Sequence, residues 1–311
     1  MQLIRNISRW PDASGCAATI GNFDGVHRGH QAMFSDVKNA ATRLQLPSTV
    51  ISFEPLPHEY FAGSKAPGRL QGLRDRVAST RACGIDRLLL LPFNQALASL
   101  SAEDFVQQVL IKAVGVKHLV IGDDFRFGHQ RKGDGSLLQT AGIASGFDVV
   151  RQMTISDEGQ RISSSKIRDL LKSGELTDAA RLLGRPYRIS GRVVHGEKVG
   201  RQLGFPTANI ALQGLRPPLS GVFAVTATEL ESGTRFKAVA NLGERPTIGG
   251  RKLLLEVHLL DQERALYGKH LAVDFITRLR GEQRFASLDE LKAQIGRDAD
   301  AARYVQAGLT L

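Results

Sequence analysis

The chain has 311 residues, 42% hydrophobic and 23% charged, which is the composition of a globular protein and a length that suits two domains. Its net charge is +10, but the basic residues are dispersed rather than blocked, and aromatics are only 6%. Anionic small molecules therefore fit better than nucleic acid, for which few stacking platforms exist. No apolar run approaches a membrane span, and Met1–Asp12 lacks the apolar core of a signal peptide. Cys16 and Cys83 form no CxxC or metal spacing, so a cytoplasmic protein with free thiols is expected.

In chain order, the apolar run Ala17–Ile20 reads as a strand, and Met33, Phe34, Val37, Ala41 and Leu44 recur at helical spacing. Between them lies Gly21-Asn22-Phe23-Asp24-Gly25-Val26-His27-Arg28-Gly29-His30. Glycines let backbone N–H groups approach a ligand, and a helix start attracts phosphate. His27 and His30, three apart, can face one ligand. A plain surface turn remains an alternative at this point. The stretch is neither GxGxxG nor a Walker loop.

Further strands are expected at Ser48–Phe53, Arg87–Leu91, His118–Ile121 and Phe147–Arg151. Helices are expected at Leu70–Arg81, Ser101–Val114, with Ser101 and Asp104 as a cap pair, and Gly135–Ala144. Such alternation predicts a parallel sheet flanked by helices, with ligands beyond the carboxyl ends of its strands. Two of those ends carry unusual loops: Phe53-Glu54-Pro55-Leu56-Pro57, and Gly122-Asp123-Asp124-Phe125-Arg126-Phe127-Gly128. Later, Arg161-Ile162-Ser163-Ser164-Ser165-Lys166-Ile167-Arg168 puts hydroxyls and positive charge at a helix start, as a cap or as a phosphate site.

Leu176–Leu183 reads as a helix that Gly184-Arg185-Pro186 breaks, so domains 1–183 and 184–311 are expected. Beyond the break, Arg188–Val194, Val222–Thr228, Lys237–Asn241, Lys252–Leu259 and Leu271–Ile276 alternate as strands without intervening helices, which predicts an antiparallel barrel. Two closing helices are expected, one capped by Ser287 with Glu290 and one at Asp298–Gln306. Thr207 and Asn209, in Gly200-Arg201-Gln202-Leu203-Gly204-Phe205-Pro206-Thr207-Ala208-Asn209, offer hard oxygen ligands that suit Mg²⁺ with ATP phosphates. By pattern alone Glu256 faces solvent.

The first stretch resembles the HxGH signature of the nucleotidyltransferases. In its longer form it resembles the bacterial riboflavin kinase/FMN adenylyltransferase family. GxxLGFPTAN, Asn241–Thr247 with Arg245, Leu255–Leu260, Tyr267-Gly268 and Arg278-Leu279-Arg280 resemble the riboflavin kinase half. The resemblance implies an α/β chain, with a Rossmann-like nucleotidyltransferase domain followed by a riboflavin kinase barrel with terminal helices. It implies riboflavin, FMN and ATP as substrates, Mg²⁺ as the metal, and no nucleic acid or membrane partner. It implies Glu256 as general base of the kinase, and His27, His30 and Arg168 as catalytic groups of adenylyl transfer. It assigns substrate contacts to Gly21, Phe23, Asp24, Gly25, Asp124, Phe125, Arg126, Arg161, Ser163, Ser164, Ser165 and Lys166. In the second half it assigns them to Gly200, Gly204, Pro206, Asn241, Arg245, Tyr267 and Arg280, with Thr207 and Asn209 on the metal. The family often has asparagine at the position of Asp124 and threonine at that of Ser165. A related nucleotidyltransferase with another acceptor, and a basic nucleic-acid-binding protein, are the competing readings.

Overall fold

The computed structural model describes residues 1–11, 14–196, 204–247, 250–262 and 264–308, with backbone alone for 245–247 and 250–252. Contacts group the chain into two compact units: Met1–Pro67 with Arg76–Ser163, and Gly68–Asp75 with Ser164–Leu311.

The first unit is built on strands β1 (Gln2–Ile4), β2 (Cys16–Ile20), β3 (Ser48–Glu54), β4 (Arg87–Pro92), β5 (Val116–Gly122) and β6 (Asp148–Gln152). All pair in parallel, in the order β1-β4-β3-β2-β5-β6. The central strand β2 is buried throughout, as expected when helices cover both faces of a parallel sheet. The helices are α1 (Arg28–Leu44), α2 (Pro57–Ala62), α3 (Leu73–Ala82), α4 (Gln95–Ser99), α5 (Ala102–Asp104, continuing in π-type wind over Phe105–Val114) and α6 (Gly135–Ser145). The cap expected at Ser101 is present, its Oγ accepting from Asp104 N at 2.9 Å. Short strands β7 (Ser156–Asp157) and β8 (Gln160–Arg161) form an antiparallel pair. From β2 the chain steps to β3 and β4 on one side, then crosses to β5 and β6 on the other. The carboxyl ends of β2 and β5 thus flank the topological switch point, where open α/β sheets bind ligands.

The second unit opens with α7 (Ser164–Ser173) and α8 (Leu176–Leu183). Helix α8 buries Leu176, Ala179, Leu182 and Leu183, and Gly184, at φ +74°, ends it by donating its N–H to Ala180 O. This left-handed stop is the one glycine readily supplies. Strands β9 (Tyr187–Val194), β10 (Ala208–Ile210), β11 (Gly221–Glu229), β12 (Arg235–Thr247), β13 (Gly250–Leu259) and β14 (His270–Arg280) then close an antiparallel barrel in the order β10-β13-β12-β11-β14-β9. In β9, Tyr187, Ile189, Gly191 and Val193 are buried in strict alternation, so that set fills the barrel.

The C-terminal segment departs from expectation. One helix, Leu288–Gln306, stands where two were expected. Its only internal breaker is Gly296, which costs about 1 kcal/mol in a helix. Burial of Ala299 and Ala302 against Ala224 and Leu260 offsets that cost. The expected cap is in place, with Ser287 Oγ accepting from Glu290 N at 3.2 Å, though the Glu290 carboxylate accepts from Ala286 N at 3.1 Å.

Candidate active sites

In the first unit the turn from β2 to α1 is wound tightly. Phe23 and Val26 have φ of +48° and +41° and Gly25 has φ +90°. Positive φ at a β-branched valine is rare and strained, and such strain gathers where a backbone shape serves a ligand. Phe23, Asp24, Gly25, Val26 and His27 are all buried, and Gly21 is half-buried. His27 is the N-cap of α1, its Nδ1 accepting from His30 N at 3.4 Å. A neutral imidazole that accepts at Nδ1 carries its proton on Nε2. The His27 and His30 rings stack with centroids 3.6 Å apart and planes at 19°, and Phe23 meets His30 edge-on at 5.2 Å. A Cβ at Gly29 would press on the His27 ring at 3.2 Å, so the ring would have to give by a few tenths of an ångström. The spacing of the signature is thus explained: the first histidine caps the helix, the glycine makes room for its ring, and the second histidine stacks on it.

Three other segments of this unit reach the same end of the sheet. The loop after β5 carries Asp124, which pairs with Arg161 at 2.6 Å. It also carries Phe125, stacked on Phe127 at 5.5 Å, and Arg126, paired with Asp134 at 3.2 Å. The Asp123 carboxyl is held below the usual range by a 2.6 Å hydrogen bond from Thr154 Oγ1. Ile162 O lies 3.9 Å from where a Gly29 Cβ would stand, and Arg28 pairs with Asp157 at 2.8 Å. The segment of Arg161 and Ser163 therefore runs beside the start of α1. The third segment was missed in the sequence. Tyr60 and Phe61 of α2 form an edge-on cluster with Phe93, which follows β4, and Phe93 packs on Phe53 of β3. Phe61 is 71% exposed. The signal for it was Glu54-Pro55-Leu56-Pro57 leading into Tyr60-Phe61.

The remainder of the second motif belongs to the second unit. Ser164 opens α7, Ser165 and Lys166 are exposed, and Arg168 is half-buried with Nε donating to Gly68 O at 2.6 Å.

In the barrel, register does what sequence spacing hides. Asn209 of β10 and Asn241 of β12 both pair with Glu256 of β13, which lies between them. Side chains directly opposite on adjacent strands share a face, so the three form one row, and Asn241 Nδ2 donates to Glu256 Oε2 at 3.3 Å. Glu256 is half-buried while its neighbours Leu255 and Val257 are fully buried. The Asn209 side chain lies against Gly196, where any Cβ would collide with its amide. Gly204, Pro206, Thr207, Asn209 and Tyr267 line one cavity of about 450 Å³. His258 Nδ1 meets Pro206 O at 2.9 Å, and the His195 ring stacks on Tyr267 at 4.3 Å. Arg280 is bound by Asp298 of the C-terminal helix at 2.8–3.0 Å. Gly200 lies outside the described residues, as does the side chain of Arg245. Among the described residues no group of three or more His, Cys, Asp or Glu could hold a metal, and no helix is long and apolar enough to cross a membrane.

A histidine-capped turn at a sheet switch point, followed by a barrel with a carboxylate set between two amides, has the makings of two separate anion-handling modules. Comparison with known proteins makes this specific. The FAD synthetase family matches residues 10–166 and the riboflavin kinase family matches residues 183–306. The chain is 49% identical over 309 residues to the bifunctional riboflavin kinase/FMN adenylyltransferase of Pseudomonas fluorescens, covering 99% of this chain and 98% of that one. It is 48% identical over 306 residues to the Escherichia coli K12 protein of the same name, covering 97% of each. The chain belongs to the bifunctional riboflavin kinase/FMN adenylyltransferase family. A crystal structure of a Streptococcus pneumoniae protein described as a macrolide-efflux protein superposes with a TM-score of 0.81 at 30% identity, over 97% of this chain and 98% of that one.

Proposed function

We propose that the two reactions of this family are divided between the modules, with the boundary at Gly184. Residues 184–311 phosphorylate riboflavin to FMN with ATP, and residues 1–183 adenylylate FMN to FAD with release of pyrophosphate. The riboflavin kinase and FMN adenylyltransferase activities follow from the family. The observation that supports the division is that each half has its own cluster of candidate groups: the His27–His30 cap stack in one and the Asn209–Glu256–Asn241 row in the other.

In the kinase half, Glu256 takes the proton of the ribityl hydroxyl as that oxygen attacks the γ-phosphorus of ATP. Asn241 orients the carboxylate through its amide. A base so placed is worth roughly 10²–10⁴ in rate. Thr207 and Asn209 supply neutral oxygens beside the cavity, a donor set that suits Mg²⁺ shared with phosphates. Bound Mg²⁺ would neutralise charge on the transferring phosphoryl group. Gly204, Pro206, Asn241 and Tyr267 contact the nucleotide and flavin, and the family motifs assign the same role to Gly200 and Arg245. Arg280, bound to Asp298, fixes the C-terminal helix that backs this site.

In the adenylyltransferase half, a phosphate oxygen of FMN attacks the α-phosphorus of ATP. That P–O bond forms as the α–β bridging bond breaks, and pyrophosphate departs. The nucleophile is already ionised, so orientation and charge neutralisation dominate. His27 offers Nε2–H, His30 stacks on it, and the start of α1 adds its partial positive charge. Backbone at Gly21, Phe23, Asp24 and Gly25 shapes the turn around phosphate. Arg161, Ser163, Ser164, Ser165, Lys166 and Arg168 bind phosphate oxygens. Asp124, Phe125 and Arg126 form one wall of the substrate site, and the exposed Tyr60–Phe61–Phe93 cluster is a platform for the flavin ring. The free thiols of Cys16 and Cys83 and the use of ATP suit a cytoplasmic enzyme.

Incubation with riboflavin and Mg-ATP, resolved by chromatography, tests the reading. FMN should appear first and FAD later. Absence of both products contradicts it.

A further inference from the structure

Arg76, in the second turn of α3, is a charged side chain outside the motifs, and it is only 2% exposed. Its guanidinium bridges the turn after β2 and the carboxyl end of β3. Nη1 donates to Asn22 O at 3.3 Å and to Ser52 Oγ at 3.5 Å. Nη2 donates to Phe53 O at 3.0 Å and to the Glu54 carboxylate at 2.5 Å. Ser52 Oγ itself donates to Asn22 O at 3.2 Å. Asn22 is the second residue of the turn that carries His27 and His30, and Phe53 supports the aromatic cluster through Phe93. A buried guanidinium with a fixed fork of donors suits such bridging, and lysine cannot reproduce the fork.

We propose that Arg76 is a positioning residue for adenylyl transfer, whose buried guanidinium holds the phosphate turn at Asn22 in register with the Phe53–Glu54 strand end. The hydrogen bonds above run to that turn and that strand end rather than to the histidines. It acts by fixing the backbone from which the histidines project on one side and the aromatic platform on the other. The strained φ values at Phe23 and Val26 show that this turn holds a shape it would not adopt alone. The proposal rests on the adenylyltransferase reading of the first module. A misplacement of about 1 Å at such a site costs on the order of 10² in rate.

The test uses the full-length chain, assayed separately for riboflavin phosphorylation and for adenylylation of supplied FMN. Arg76→Met should lower adenylylation kcat roughly 10²-fold while phosphorylation stays within about twofold. Arg76→Lys should recover part of that loss, because one ammonium can serve some of the acceptors. Ser52→Ala, which removes one hydroxyl of the network, should give a smaller fall with the same preference for kcat over KM. Wild-type rates of adenylylation in Arg76→Met overturn the proposal. If Arg76→Met does not fold, Arg76→Lys and Ser52→Ala decide it: parallel loss of both activities, or no loss in either variant, overturns it. A wild-type chain that makes no FAD from FMN refutes the functional reading itself, which is a distinguishable outcome.

Discussion

On the reading proposed above, the two halves hold ATP phosphates by different means. In the first, the functional groups come from one turn: His27 caps the helix and His30 stacks on it, three residues on. In the second, they come from three strands, and β-register alone brings Asn209, Glu256 and Asn241 together. A turn-built site depends on whatever fixes the turn, here the cap bond, Gly29 and the network of Arg76. A strand-built site depends on register, because a slip of one residue would move Glu256 to the barrel interior. The first arrangement is written contiguously in the sequence, and the second is not.

Substitutions that silence one site and spare the other test the comparison most strongly. Glu256→Gln keeps shape and hydrogen bonding but removes the proton acceptor. Kinase turnover should fall roughly 10²–10⁴-fold with little change in substrate affinity, and supplied FMN should still be converted to FAD. Steady-state kinetics for both reactions check this, and near-full turnover would return Glu256 to a solvated strand residue. His27→Ala and His30→Ala should each cost about 10²–10³ in FAD formation and leave FMN formation near normal. His27→Ala should also destabilise the start of α1 by about 1 kcal/mol, as loss of a cap does, which thermal unfolding would show.

Smaller effects sharpen the picture. Asp75 is grouped with the barrel unit, and its carboxylate accepts from Ser190 N of β9 at 2.9 Å. Burial pushes its carboxyl above the usual 3.8, against the opposing pull of the Ser190 hydrogen bond and of Arg188. The folded state then holds this proton more tightly than the unfolded chain. The contribution of Asp75 to stability is greatest below the unfolded value and falls as pH rises through the raised folded value. The slope for this one group is at most about 1.4 kcal/mol per pH unit. Denaturant unfolding of wild type and Asp75→Asn across that window should show the difference shrinking as pH rises, and a pH-independent difference would refute the assignment. Asp124→Asn should have the smallest effect. It removes the exposed ion pair that holds Arg161, freeing the guanidinium for ATP. An exposed pair is worth up to about 1 kcal/mol, so the KM for ATP in adenylylation should drop by no more than about fivefold.

Most of the fold was legible because its elements are long and periodic. The strand expected at Ser48–Phe53 is β3, Ser48–Glu54, and the helix expected at Gly135–Ala144 is α6, Gly135–Ser145. Strands β1 and β10 escaped notice because each has three residues, too few to show a period, and β10 begins two residues after Pro206. One helix stands where two were expected, because burial of Ala299 and Ala302 carries it through Gly296. At the site level, spacing put His27 and His30 together at a helix start, and the resemblance to the HxGH signature supplied the role expected of them. The Asn209–Glu256–Asn241 row could not, since its members lie far apart in sequence and meet only through pairing. Arg76 was invisible for a similar reason: an arginine in a helix reads as solvated until its burial is known.

The central claim is that one chain carries two independent sites acting in series. It is tested most directly by mixing Glu256→Gln with His27→Ala in riboflavin and Mg-ATP and following FMN and FAD by chromatography. The division of labour predicts that the first variant alone makes almost no FMN, and that the second alone accumulates FMN with little FAD. The mixture should make FAD, because FMN released by one protein feeds the other. A mixture that makes no more FAD than either variant alone, or a single variant that has lost both reactions, would contradict it.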